Sequence, residues 1–233
     1  MFDLTRQRLL DRIKLQYGGH KKPSDGMCAM EMVAYLAGEG HSYHPECVCP
    51  VLTAYTIRLN DSMPTEWRQR LKPYLPLLIG TRDDHSVARA ELLAWRAIRE
   101  FAPIALEACG LHDSAARLRN VKGGLADAAD AAYAVYPGPQ IPAACRAAVV
   151  QAAHAAHGAH AASAGRAAHL SRAIDASDAA DAAIGAVRLS GGDDVWSLTL
   201  QVLDEAIAIG ADERTPMAMA ATTEDPEVET VTS

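Results

Sequence analysis

Alanine dominates the second half of this 233-residue chain, where it fills 27 of the 61 positions from 126 to 186. Because alanine is the best helix former and has no side-chain freedom to lose, the segment predicts helices rather than a sheet. Breaks in the pattern fall at YPGPQIP (136–142) and at LSGGDD (189–194). Helices lined with such short side chains can approach each other closely, so the segment predicts a helical bundle or hairpin.

The first 120 residues show apolar side chains at the three- and four-residue spacing of amphipathic helices. Gly and Pro separate these segments, and no segment has the alternating pattern of a strand. The predicted helices are Leu4–Tyr17, residues 26–38 with Ser24 or Asp25 as N-cap, a helix from Pro50, a helix from Ser62 or Pro64, and a long helix from Asp83 or Asp84 that Pro103 kinks or ends after Phe101.

These patterns predict an all-α protein in three parts. Residues 1–120 are expected to form a compact helical domain, and residues 121–210 an alanine-rich helical bundle or hairpin. Residues 211–233 make an acidic, polar tail without any apolar period. Such a segment cannot bury enough apolar surface to offset the entropy of ordering, so we expect the tail to be disordered.

Charge is uneven along the chain, whose formal net charge is −7. Residues 121–233 contain six basic and 15 acidic residues, a net charge of −9. This acidity argues against nucleic-acid binding, because phosphate contacts need a basic surface. No run of about 18 apolar residues predicts a membrane span. The amphipathic start of the chain does not resemble a secretory signal, so we expect a cytoplasmic location.

The stretch GHSYHPECVCP, residues 40–50, is the part of the sequence densest in metal-ligand side chains. Zinc in proteins takes four thiolate or imidazole ligands in a tetrahedron. The stretch lacks the two widely separated ligand pairs of familiar zinc motifs, and its Cys-x-Cys spacing is tight for one ion. A zinc site, if present, would draw its ligands from Cys28, His41, His44, Cys47 and Cys49.

Two other interpretations of the same stretch stay open. Cys28, near a helix N-terminus, could be a nucleophile with His41 or His44 as its base. The ring would then be oriented by one of three nearby carboxylates, those of Asp25, Glu31 and Glu39. Alternatively the stretch is structural: the histidines donate to backbone carbonyls of an irregular loop, and Cys47 and Cys49 pack beneath it.

The remaining cysteines, Cys109 and Cys145, are far apart in sequence and lie in helical, alanine-rich surroundings. An isolated free cysteine in such a context usually behaves as a small buried hydrophobic residue. Five cysteines with no export signal also argue against a disulfide framework. Neither residue is therefore predicted to have a chemical role.

The segment GMCAMEMVAYLAGEGHSYHPECVCPVLTAYTIRLND, continued by LKPYLPLLIGTR, resembles a group of uncharacterised proteins from actinobacteria and their phages. The resemblance covers about residues 20–82, and an alanine-rich second half is also typical of that group. It implies a bacterial or phage origin. Because no activity is established for the group, it implies no catalytic residue.

These observations together predict a non-enzymatic helical interaction or regulatory protein, in which a structural zinc site is one of the interpretations of the Cys/His cluster that stay open. Its partner would be another protein, either a second copy of the chain or a host protein. The acidic, alanine-rich half would supply the packing or partner surface. The alternative is an enzyme: a metal-dependent or cysteine-nucleophile hydrolase that uses the cluster between Cys28 and Cys49.

Overall fold

The computed structural model describes residue 8 and residues 10–135, 141–163 and 169–214, with the side chains of 169–175 left aside. The described residues are helical without a strand, which confirms the all-α prediction, and the tail from residue 215 lies outside them. The helices are α1 Ala29–Ala37, α2 Pro50–Ser62, α3 Thr65–Gln69, α4 Leu75–Leu78, α5 Ser86–Arg96, α6 Ala102–Ala108, α7 His112–Arg119, α8 Leu125–Val135, α9 Ala143–Ser163, α10 His169–Ser190 and α11 Asp193–Ala208.

The N-terminal segment departs from the predicted helix that was to end at Tyr17. Residues 10–12 are helical, but residues 13–17 are not. Leu15 instead forms an isolated parallel β-bridge with Met27. The Gln69 side chain fixes this segment, since it accepts from Leu15 N at 2.9 Å and donates to Leu15 O at 3.0 Å. These tertiary hydrogen bonds replace the helical ones that the local pattern favoured.

Pro103 does not end the long helix. The segment Ala97–Phe101 is a π-helical turn between α5 and α6, and the backbone N–H of Ala102 donates to the carbonyl of Ala97, five residues earlier. A proline inside a helix has no N–H and its ring clashes with the carbonyl four residues before it. The wider π turn just before Pro103 accommodates that ring, so the helix continues into α6.

One continuous hydrophobic core joins the two halves of the chain. Helix α10 packs against α9 and also against α2, while α9 packs against α5 and α8. Residues from both predicted domains belong to the same buried cluster. The division at residue 120 stays a prediction about which parts fold independently, and in the structure those parts share their core.

Alanine and glycine set the distance between α9 and α10. A Cβ atom added to Gly185 would lie 2.9 Å from the Cβ of Ala148, closer than carbon atoms normally pack. We expect Gly185→Ala to lower the free energy of unfolding by about 1–3 kcal/mol, because the helices must separate. Urea unfolding followed by circular dichroism would measure the change.

The double variant Gly185→Ala/Ala148→Gly is the matched control for that prediction. It moves the methyl group from one helix to the other and so restores the contact, although the glycine itself costs about 1 kcal/mol in helix propensity. The double variant should therefore lose less unfolding free energy than the sum of the losses of the two single variants. Additive effects of the two substitutions would contradict the close approach.

Candidate functional site

Helix α1 begins at a capping box formed by Cys28 and Glu31. The backbone N–H of Glu31 donates to the Cys28 sulfur at 3.5 Å, and the backbone N–H of Cys28 donates to Glu31 Oε2 at 2.8 Å. Ser24 and Asp25, the predicted caps, lie instead in a separate 3₁₀ turn, Pro23–Asp25. The prediction of the cap was therefore wrong, and the helix starts four residues later than Asp25.

The Glu31 carboxylate is the centre of a buried polar cluster. Its side chain is 1% exposed, and the loop before α1 folds back over it. His20 donates its backbone N–H to Oε1 at 2.5 Å and places Nδ1 2.8 Å from Oε2. His41 Nε2 lies 3.4 Å from Oε1. We call His20, Cys28, Glu31 and His41 the Glu31 node.

The electrostatics of the Glu31 node favour a carboxylate over a carboxylic acid. Burial by itself would raise the pKa of Glu31, but hydrogen bonds from the backbone N–H groups of His20 and Cys28 and from the His20 ring outweigh it. The pKa of Glu31 is therefore lower than usual. A buried anion with this many donors holds two loops against one helix start.

His41 connects the second of these loops to the first. Its Nε2 is 2.8 Å from the carbonyl O of His20, and because a carbonyl only accepts, this nitrogen carries the hydrogen. The other ring nitrogen, Nδ1, is buried and has no hydrogen-bond partner. A neutral ring in this tautomer thus presents an unused acceptor inside the protein.

The Cys28 thiol lacks the features of a nucleophile. It is 1% exposed, and burial together with the negative charge of Glu31 raises its pKa to about 12. The favourable effect of the helix N-terminus is smaller than these two effects. At neutral pH the thiol is therefore protonated, and it serves as an acceptor for the helix cap.

The other candidate ligands face different surroundings. Burial and the neighbouring Glu39 raise the pKa of Cys47 to about 12, and the Cys47 backbone N–H donates to Glu39 at 2.8 Å. Cys49 is fully buried, and its backbone N–H donates to Thr81 Oγ1 at 3.0 Å. His44 is exposed, with its ring edge-on to that of Tyr43.

Only two of the five predicted ligands, Cys28 and His41, meet at the Glu31 node. Within the described part of the chain, which includes all five, no group of three or more His, Cys, Asp or Glu side chains is placed to hold a metal ion. The zinc site therefore stays a prediction that would require side chains to rearrange. The sequence did not predict that Glu31 and His20 would lie at the centre of this cluster.

No family model, curated protein or solved structure matches this chain. The resemblance of residues 20–82 to actinobacterial and phage proteins therefore stays a prediction about origin, as does a cytoplasmic location. Among the described residues, no helix is long and apolar enough to cross a membrane.

A second buried polar group, Arg89, was not anticipated from the sequence. Its side chain is fully buried and forms a bidentate ion pair with Asp83 at 2.6 and 2.7 Å. It also donates to backbone carbonyls that end one loop and one helix, those of Thr81, Ala206 and Ile209. In the sequence, Asp83 suggested only a helix cap, and no local signal distinguished Arg89 from the other arginines.

Proposed function

We propose that this protein acts by binding a protein partner and does not catalyse a reaction. The observation that supports this proposal is the closed state of the Glu31 node, where carboxylate, thiol and imidazole groups bond to one another and to the backbone. Catalytic groups need a reacting molecule within hydrogen-bond reach. Here the groups that could do chemistry instead hold the loops around α1.

The surface best suited to a partner surrounds Tyr17. This side chain is 72% exposed, the highest value among the large apolar residues described. Lys14, Lys21 and Lys22 on the same folded-back segment are also exposed. We call these four residues the Tyr17 surface. An exposed tyrosine is typical of interface anchors because its ring contributes contact area, and the lysine charges around it would steer an acidic partner.

The segment that carries Tyr17 is held in place before any partner arrives. Gln69 bonds both backbone groups of Leu15, and Gly18 N donates to Asp61 Oδ1 at 2.7 Å. Arg68 places its guanidinium 5.8 Å from the Tyr17 ring centroid. Such preorganisation lowers the entropic cost of binding.

A second copy of this chain is the partner that we propose. Residues 121–233 carry a net charge of −9, which complements the cations of the Tyr17 surface. Exposed carboxylates of Asp130 on α8 and of Asp194 and Asp204 on α11 are available on that half. Contact between oppositely charged surfaces of two copies makes the association dependent on salt.

Light scattering of the purified protein over a range of concentrations tests self-association. We expect assembly at low salt that weakens sharply by about 0.5 M salt, because the Debye length is then only a few ångströms. The variant Tyr17→Ala/Lys21→Glu/Lys22→Glu should stay monomeric. The control Leu77→Ala removes another exposed apolar side chain and should assemble normally. A wild-type protein that is monomeric throughout would contradict the proposal.

Thiol labelling distinguishes binding from the rival hydrolase. A cysteine nucleophile should react selectively at Cys28 below pH 7, whereas a buried, protonated thiol should react only when the protein unfolds. We expect Cys28 and Cys49 to label slowly and Cys47 and Cys109, which are half-buried, to label faster. Mass spectrometry of the labelled peptides would rank the four rates. Fast labelling of Cys28 in the folded protein would favour the enzyme.

A structural zinc ion is the second candidate, and the unused Nδ1 of His41 supports it. A buried acceptor without a partner is the kind of group that a metal ligates. Metal content should be measured in protein purified without an affinity tag or added metal. A structural site predicts one equivalent of zinc and destabilisation by chelator, whereas less than about a tenth of an equivalent with unchanged stability would contradict it.

A further inference from the structure

Cys109 and Cys145, which are 36 positions apart in the sequence, lie close together in the structure. Cys109 directly follows α6 and is half-buried, whereas Cys145 lies in the first turn of α9 and is fully buried. Both thiols are free. Helices α6 and α9 pack against each other, and both residues belong to that packed region.

The last turn of α6 brings the Cys145 thiol close to Cys109. The Cys145 thiol donates to the carbonyl O of Ala105 at 3.5 Å. In an α-helix a carbonyl points along the axis toward the residue four positions later, which here is Cys109. The Cys145 thiol therefore lies against the last turn of α6, and the neighbouring Cys109 side chain contributes to the raised pKa of Cys145.

We propose that Cys109 and Cys145 are a modification site that closes as a disulfide by exchange with a low-molecular-weight disulfide, such as oxidised glutathione. The Cys109 thiolate attacks one glutathione sulfur, forms a mixed disulfide and releases one glutathione thiolate. The Cys145 thiolate then attacks the Cys109 sulfur and releases the second. Two protein thiols are oxidised, one glutathione disulfide is reduced, and the two cysteine protons pass to the released thiolates.

The surroundings of the two residues set the order of these steps. Cys109 is the more accessible of the two, so an external disulfide reaches it first. Burial raises the pKa of Cys145 to about 12, and the Cys109 thiol beside it adds to the effect. Only the thiolate form of Cys145 can attack the mixed disulfide, and its high pKa leaves little thiolate at neutral pH. The second attack should therefore become faster as the pH rises.

The bond would join the end of α6 to the start of α9. It would close a loop that contains α7 and α8, and it would tie the alanine-rich half covalently to the first domain. Cross-links of this kind stabilise the folded state chiefly by restricting the unfolded chain. The modification stands independently of the partner proposed above, because it uses different residues.

Incubation of the folded protein with oxidised glutathione, followed by intact-mass and peptide analysis under non-reducing conditions, tests the site. We expect a product lighter by two hydrogens in which the Cys109 and Cys145 peptides are linked. Its thermal unfolding midpoint should be higher, and a dithiol reductant should reverse both changes. The variant Cys145→Ser should stop at a glutathione adduct on Cys109.

The control Cys47→Ser removes another half-buried thiol and should leave the cross-link unchanged. A mixed disulfide on Cys109 that persists in the wild-type protein would overturn the proposal, as would failure of Cys109 to react. A cross-link between other cysteines, or one that forms only in denaturant, would overturn it as well. Each outcome is read directly from the peptide masses.

Discussion

Replacement of Glu31 by glutamine is expected to lower the free energy of unfolding by about 2–4 kcal/mol. The glutamine has the same shape, but its amide NH₂ would face donors that now bond to the carboxylate, among them the N–H groups of His20 and Cys28. It also removes the negative charge that strengthens those bonds. Urea unfolding at neutral pH, followed by circular dichroism, would measure the loss.

Glu39→Gln is the matched control for this result. The Glu39 carboxylate also accepts two backbone N–H groups, those of Glu46 and Cys47, but it is exposed to water. Solvent can replace those bonds, so the loss should stay below about 1 kcal/mol. Equal and small losses in the two variants would show that burial of Glu31 contributes little.

The pH dependence of stability provides an independent test of the Glu31 node. The pKa of Glu31 is lower in the folded protein than in the unfolded chain. Its contribution is therefore complete above the unfolded-chain pKa of about 4.3 and is lost as the pH falls toward the folded-state value. Asp83, whose pKa is also lowered, adds to the same acid loss. Glu31→Gln should show a shallower slope than the wild type below about pH 5.

Replacement of Arg89 by methionine is expected to cost about 3–5 kcal/mol, the largest loss predicted for this protein. Methionine keeps much of the side-chain volume but leaves Asp83 and three backbone carbonyls without their donor. The ends of α11 and of the loop before α5 would then lose their connection. Urea unfolding would give the loss, and hydrogen exchange would show whether residues 206–210 become exposed.

Arg96→Met is the control for the arginine prediction, because Arg96 also connects α5 to α11. It pairs with Glu100 and with Glu205, but all three side chains are partly exposed. Water and salt screen such pairs, so the loss should be below about 1 kcal/mol. If Arg89→Met is too unstable to purify, Arg89→Lys keeps the charge and should show an intermediate loss. Comparable losses of stability at Arg89 and Arg96 would contradict the prediction that the buried hydrogen bonds of Arg89 stabilise the fold more than exposed ion pairs do.

The sequence predicted the parts of the fold that depend on local preference. Alanine content and apolar spacing indicated helices throughout, and Pro50 does begin α2. The differences from the predicted helices have two causes. A tertiary contact with Gln69, which lies 54 residues away in the sequence, keeps the segment around Leu15 out of a helix. A local π turn directly before Pro103 accommodates the proline ring, so the helix continues into α6.

The sequence predicted where the candidate site lies better than it predicted which side chains form it. The density of thiol and imidazole groups pointed to the region between Cys28 and Cys49, and the structure does place Cys28 and His41 together there. The centre is a carboxylate, however, and Glu31 is distinguished by the loops that fold over it. The contact between Cys109 and Cys145 is equally a product of helix packing, which no spacing rule reveals.

The close approach of α9 and α10 bears on how this chain can change in evolution. Alanines that face the core, such as Ala148, Ala152 and Ala183, have essentially no exposed surface, whereas Ala143, Ala144 and Ala147 face water. Codon bias alone would enrich both groups equally. Substitution at the inner group must conserve side-chain size, whereas the outer group can drift toward charged residues. The pattern of replacement among natural variants should therefore follow the helix face and not the base composition of the genome.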